Sequence, residues 1–172
     1  GILDSSRFIY FLSQELKVPV NKIKSFVLGG HGDSMVAMLG ATIVEGKKIN
    51  DLVNEGKISR EKLDQIIDRT KKGGAEIVKF LEKGSAFYAP AASGVEMAEC
   101  YLKDFKKQLP CAVHLNGEYG TKDIYAGVPV IIGSKGVEKV IELDLSTEEK
   151  NNFDNSIKAV KELFDAAIKI DP

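Results

Sequence analysis

Val128-Pro129-Val130-Ile131-Ile132-Gly133-Ser134-Lys135-Gly136-Val137-Glu138-Lys139-Val140-Ile141-Glu142-Leu143 is the stretch on which the fold class turns. β-Branched residues crowd both sides of Gly133-Ser134-Lys135-Gly136, a tetrapeptide suited to a hairpin turn. Residues 109–115 form a second β-rich run upstream. Downstream, Ser146 and Glu149 have capping-box spacing. Phe153, Ile157, Val160, Phe164, Ala167 and Ile168 then keep one face of a long helix apolar. Farther upstream, residues 90–103 read as a helix with Pro90 in its first turn, where a missing N–H is tolerated. Ser59 caps a helix carrying Leu63, Ile66 and Ile67; Gly73-Gly74 breaks it, and residues 75–81 resume it. Nearer the start, residues 4–16 form a helix with Phe8, Phe11, Leu12 and Leu16 as its apolar stripe. Ser25-Phe26-Val27-Leu28 is a strand closed by Gly29-Gly30, and residues 36–44 are a second strand region ending in a hairpin at Glu45-Gly46. Helices bracketing hairpin-linked strands predict one α+β domain, its helices packed around a largely antiparallel sheet.

Composition narrows the function. The 172 residues carry 24 basic and 25 acidic side chains, for a net charge of −1. That balance argues against a partner of nucleic acid or an acidic membrane surface, either of which draws a basic excess. The longest nearly apolar stretch, residues 35–44, is about ten residues, short of the roughly 18 a membrane-spanning helix needs. The first residues show no signal peptide, and the missing initiator Met suggests a fragment. Cys100 and Cys111 make no disulfide framework, so free thiols in a cytoplasmic location are expected. No metal is expected at Cys111-Ala112-Val113-His114, because residues three apart on a strand face opposite ways.

Two histidines are candidates for chemistry. His114 sits in an apolar strand and reads as a satisfied structural residue. His31 lies in Gly29-Gly30-His31-Gly32-Asp33-Ser34, directly after a strand, with glycines leaving little bulk around the ring. A loop histidine of this kind suits proton transfer near neutral pH. The glycines suit a plain turn equally well, and spacing alone leaves the two readings level. Asp4 and Arg7, three apart, share a helix face. A carboxylate can fix a histidine's tautomer, and an arginine fork can bind a carboxylate through two hydrogen bonds. Periodicity alone favours the plainer reading, a helix cap and a surface arginine. No G-x-G-x-x-G joins a strand to a helix: Gly30-His31-Gly32 begins like one, but Met35 stands where the third glycine belongs.

Gly1-Ile2-Leu3-Asp4-Ser5-Ser6-Arg7-Phe8 together with Gly29-Gly30-His31-Gly32-Asp33-Ser34 resembles the catalytic half of the lactate/malate dehydrogenase family. The resemblance continues through Gly84-Ser85-Ala86-Phe87-Tyr88-Ala89-Pro90-Ala91-Ala92-Ser93, Leu109-Pro110-Cys111, Tyr119-Gly120 and residues 127–133, and covers essentially the whole chain. The segment around Ala86 looks like the bacterial malate dehydrogenases that share the lactate dehydrogenase lineage.

The resemblance implies that residues 1–172 are the catalytic, substrate-binding domain, and that an N-terminal dinucleotide-binding domain is absent from this chain. It implies reversible NAD-dependent oxidation of (S)-malate to oxaloacetate by the full-length protein, with the isolated chain inactive. It assigns His31 as acid/base and as a neighbour of the cofactor, Asp4 as its orienting carboxylate and Arg7 as the clamp for the substrate carboxylate. Ala86 would line the substrate pocket, and Pro90 would lie near the nicotinamide. NAD would be bound mainly by the missing domain. Expected partners are a small dicarboxylic acid, that domain, and further copies in a homo-oligomer. The alternatives are a lactate or other 2-hydroxyacid dehydrogenase half and a non-catalytic oligomerisation module.

Overall fold

A computed structural model describes residues 1–170. Helix α1 (Ile2–Leu16) buries Phe8 and Leu12 fully and ends at Lys17, whose φ of 56° makes a left-handed cap, with Pro19 just beyond. It starts two residues before the expected position, with Gly1 at its N-cap, so Asp4 is not the cap but a buried residue of the first turn.

Five two-residue strands follow: β1 (Ile23–Lys24), β2 (Val27–Leu28), β3 (Val36–Ala37), β4 (Ile43–Val44) and β5 (Lys47–Lys48). The single strand expected over residues 36–44 is thus two, because backbone turns at Met38–Ala41 and Leu39–Thr42 fold the chain between them. The β4–β5 hairpin forms at Glu45-Gly46, both with positive φ, as a twisted two-residue turn requires. Helix α2 (Ile49–Asn54), which had no clear sequence signal, leads to α3 (Arg60–Leu81), capped by Ser59 Oγ accepting from Lys62 N–H.

Helix α3 is continuous through Gly73-Gly74, contrary to the expected break. A Cβ on Gly73 would sit 3.0 Å from Arg7 Cδ and 3.3 Å from Arg7 Nε, so the glycine makes room for the α1 arginine. Helix packing thereby outweighs a local penalty of about 1 kcal/mol.

Helix α4 (Tyr88–Leu102) buries only Cys100. The long ladder comprises β6 (Lys107–Asn116), β7 (Lys122–Gly133) and β8 (Gly136–Val140), in the order β6-β7-β8. β7 begins six residues earlier than the β-branched run at Val128, and Ile141–Leu143 lie beyond β8. Helix α5 (Thr147–Ile170) carries the capping box: Ser146 N–H donates to Glu149 Oε2 at 2.9 Å, and Glu149 N–H donates to Ser146 Oγ at 3.2 Å.

Every strand pair is antiparallel, as expected, but the pairs form three ladders, β1-β4-β5, β2-β3 and β6-β7-β8, and not one sheet. A backbone bridge between Gly29 and Gly127 ties the end of β2 to the middle of β7. The buried side chains fall into two clusters. One lies against the long ladder and includes Val128, Val130 and Phe153; the other joins α1 to α3 through Phe8, Leu12, Leu63 and Ile66. Helix α1 spans both, with Ile2 in the first and Phe8 in the second, and so places its N-terminal turn at their junction.

Candidate active site

The junction is where His31 arrives. β2 delivers it, and consecutive residues of α1 receive it: Ser5 Oγ accepts from Val27 N–H at 2.9 Å, and Asp4 Oδ2 lies 2.8 Å from His31 Nδ1. A carboxylate only accepts, so Nδ1 carries the proton, and Nε2 is left free to face a ligand. The contrast in burial matters: the Asp4 side chain is 4% exposed and the His31 side chain 67%. Aspartate is therefore shut away from water while the imidazole it orients stays accessible.

The loop is shaped for this. Gly29 adopts φ +85°, and a Cβ there would meet Ser156 Oγ at 2.3 Å. Only glycine meets both demands. Gly29 and Gly127 exchange hydrogen bonds of 2.8 and 2.9 Å, and Gly30 N–H donates to Ser156 Oγ at 2.8 Å. The even balance that spacing left between turn and site is thus broken by Asp4: a plain turn gives no reason to aim a buried carboxylate at the ring.

Arg7 completes the group. Its NH1 lies 3.6 Å from Asp4 Oδ1, too long for a hydrogen bond, and its side chain is 10% exposed. Both Arg7 NH1 and Asp4 Oδ1 are buried without a hydrogen-bond partner. The two unpaired atoms are the facing ends of this one ion pair, so the Arg7 charge lies against the carboxylate that orients His31. The expectation of a plain surface arginine is overturned, because Gly73 and Gly74 line the Arg7 side chain.

A pocket of about 250 Å³ opens beside Asp4 and His31, lined also by Gly30, Ala112, Tyr125 and Val160 among others; Arg7 is not in its lining. That volume admits a small acid or one ring of a larger cofactor, and not a whole dinucleotide. A larger cleft of about 480 Å³ lies between α3 and α5, with Arg60, Asp64, Lys71 and Glu148 on its walls. It holds no histidine, so the smaller pocket is the one with proton-transfer chemistry.

Of the remaining candidates, Ala86 is half-buried and Pro90 exposed in the first turn of α4, and neither lines the pocket beside His31. His114 is exposed on β6, edge-on to Tyr125, and lies outside the pocket beside His31. Cys111 faces the first core cluster, and burial pushes its thiol up to about 11. Among the described residues no three His, Cys, Asp or Glu side chains gather to hold a metal. No helix among them is long and apolar enough to cross a membrane. Ser5, Gly73, Gly127 and Ser156 were not anticipated. Ser5 and Gly127 sit in the motifs that carry the resemblance and Gly73 in the expected helix break, each without a site role; Ser156 interrupts the apolar face of α5 as a small polar residue.

The structure thus shows an α+β domain of antiparallel ladders that seats an aspartate, an arginine and a loop histidine at one junction. The sequence profile of the lactate/malate dehydrogenase α/β C-terminal domain matches residues 2–170, and the chain belongs to that family. It is 67% identical, over all 172 residues, to the malate dehydrogenase of Pelagibacter ubique (strain HTCC1062), of which it covers 54%. The malate dehydrogenase structure of Cryptosporidium parvum superposes at a TM-score of 0.91, with 44% identity over 95% of this chain and 52% of that one. The lactate dehydrogenase of Eimeria maxima, solved with NADH and oxamate, superposes at 0.95, with 41% identity over 99% of this chain and 53% of that one. The chain spans about half the length of these relatives.

Proposed function

We propose that this chain is the substrate-handling half of an NAD-dependent malate dehydrogenase, preceded in the full-length protein by a dinucleotide-binding domain. The observation that carries the reading is the His31–Asp4 bond of 2.8 Å, with the Arg7 guanidinium 3.6 Å from the same carboxylate.

In reduction of oxaloacetate, protonated His31 polarises the carbonyl and delivers a proton from Nε2 to its oxygen. Asp4 holds the ring and balances its charge. Arg7 takes the adjacent carboxylate through its planar fork, fixing the carbonyl against the imidazole. When bound, the nicotinamide supplies the hydride that goes to the carbonyl carbon. The residues present fit only that end of the cofactor: the pocket is small, and the chain has no glycine-rich strand-to-helix loop for a pyrophosphate. His31 lines that pocket and would border the nicotinamide, whereas Pro90, assigned there by the resemblance, lies outside it.

Oxaloacetate is favoured over pyruvate by the identity with the Pelagibacter malate dehydrogenase. The second reading, a lactate dehydrogenase half, draws on the superposition with the Eimeria lactate dehydrogenase. The exposed apolar residues Tyr88, Leu102 and Phe105 suit a surface covered by the nucleotide domain or by further copies in a homo-oligomer. The two buried free thiols suit a cytoplasmic protein.

The test is the kcat/KM of the full-length protein for oxaloacetate and for pyruvate with NADH. Oxaloacetate should lead. A lead for pyruvate transfers the chain to the second reading, and turnover of neither removes both.

A further inference from the structure

We infer that Ser156 of α5 is a positioning residue for His31, acting through the loop backbone and not through the imidazole. The inference rests on His31 being the acid/base. Segment 27–31 is tethered almost residue by residue, and each tether comes from a different part of the fold. Val27 N–H goes to Ser5 on α1, Gly29 pairs with Gly127 on β7, and Gly30 N–H donates to Ser156 Oγ at 2.8 Å. The last of these is the only one between the β7 bridge and the histidine itself.

The backbone lies flat against α5 so that this bond can form. A Cβ on Gly30 would come within 3.0 Å of Val160 Cγ2, and one on Gly29 within 2.9 Å of Ser156 Cβ. Glycine on both sides of His31, at positions 29 and 32 with φ +85° and +78°, makes the loop soft. The Asp4 bond orients the ring, but an exposed imidazole has little packing to fix where its backbone sits. Ser156 is 2% exposed on a helix face that otherwise buries Phe153. A hydroxyl at such a position is unfavourable without a partner, and the partner recorded for it is Gly30 N–H. Without the hydroxyl, that half-buried N–H finds water most readily by moving outward, taking His31 with it.

Ser156→Ala, His31→Asn and the double variant of the full-length protein test this. Ser156→Ala should lower kcat by about 10–100-fold, the effect of a displacement near 1 Å, and leave KM for oxaloacetate and NADH nearly unchanged. In the His31→Asn background the same substitution should remove nothing further, because no acid/base remains to be misplaced. Amide hydrogen exchange of residues 29–34 should accelerate while the β6–β7 ladder keeps its protection. A kcat near wild type, or unchanged exchange in residues 29–34, overturns the inference. So does an equal fractional loss in both backgrounds, which marks damage to the fold at large. An inactive wild type removes the acid/base reading itself and is distinguished from these outcomes by the exchange arm, which does not depend on turnover.

Discussion

Arg7 shows how one side chain is made by residues far away in the chain. Its carboxylate neighbour, Asp4, is one turn back on α1, but its space is cut by Gly73 on α3. Arg7→Lys keeps the charge and loses the fork. Substrate binding in the full-length protein should weaken by about 1.5–3 kcal/mol, the scale of hydrogen bonds to charged groups, with NADH affinity unchanged. Titration of each ligand checks this, and equal losses for both would mean that the fold, and not the clamp, was damaged. Gly73→Ala separates stability from function. Helix propensity gains about 1 kcal/mol, while the new methyl presses on Arg7 Cδ at 3.0 Å. The melting temperature should hold or rise and KM for oxaloacetate should increase; a raised melting temperature with unchanged KM would show that Arg7 does not hold the substrate. The Asp4–Arg7 pairing was legible, because helical spacing puts residues three apart on one face. The glycines were misread as a break because propensity is local, whereas the Arg7 contact joins residues 66 positions apart and leaves no mark in either helix's own pattern.

At the scale of elements, legibility followed the strength of the local signal. The capping box of Ser146 and Glu149, the Glu45-Gly46 hairpin and the Gly133–Gly136 turn all form where their short-range chemistry places them. The first half of β7, Lys122-Asp123-Ile124-Tyr125-Ala126-Gly127, was not legible. Ile124 and Tyr125 suit a strand, but Lys122, Asp123, Ala126 and Gly127 around them do not, and the pairing comes from β6 opposite. The apolar face of α5 was legible for its whole length, yet only its first half is covered: Phe153 is buried, while Phe164 is 53% and Ile168 48% exposed. β6 offers a test of burial through pH. The Cys111 thiol is held at about 11 by burial, above its ordinary value of 9.0. The unfolded chain therefore ionises first as pH rises, binds fewer protons than the native one, and gains stability relative to it. The contribution is absent below about pH 9 and grows as a loss of native stability toward pH 11. Urea midpoints from pH 8 to 11 should fall more steeply for the wild type than for Cys111→Ala; parallel curves would place the thiol in contact with water.

For the whole molecule, the fold class and the family were legible because the site motifs and the hairpins sit in one continuous chain. The division of the helix surfaces into covered and bare was not, since it depends on which faces pack against the two buried clusters. α4 exposes Tyr88, Val95 and Leu102, and the end of α3 exposes Phe80. Residues 1–172 alone should melt cooperatively on the strength of the two buried clusters, self-associate through these bare faces, and oxidise no NADH with oxaloacetate. A thermal melt, sedimentation and an absorbance assay check the three points in turn, and turnover by the isolated chain would reveal a cofactor site within it. If a histidine held by a buried aspartate moves the proton, NADH oxidation with oxaloacetate by the full-length protein depends on His31. In its His31→Asn variant kcat should fall about 10²–10⁴-fold, with NADH binding and melting temperature preserved; a kcat retained within a few-fold would show that another group moves the proton.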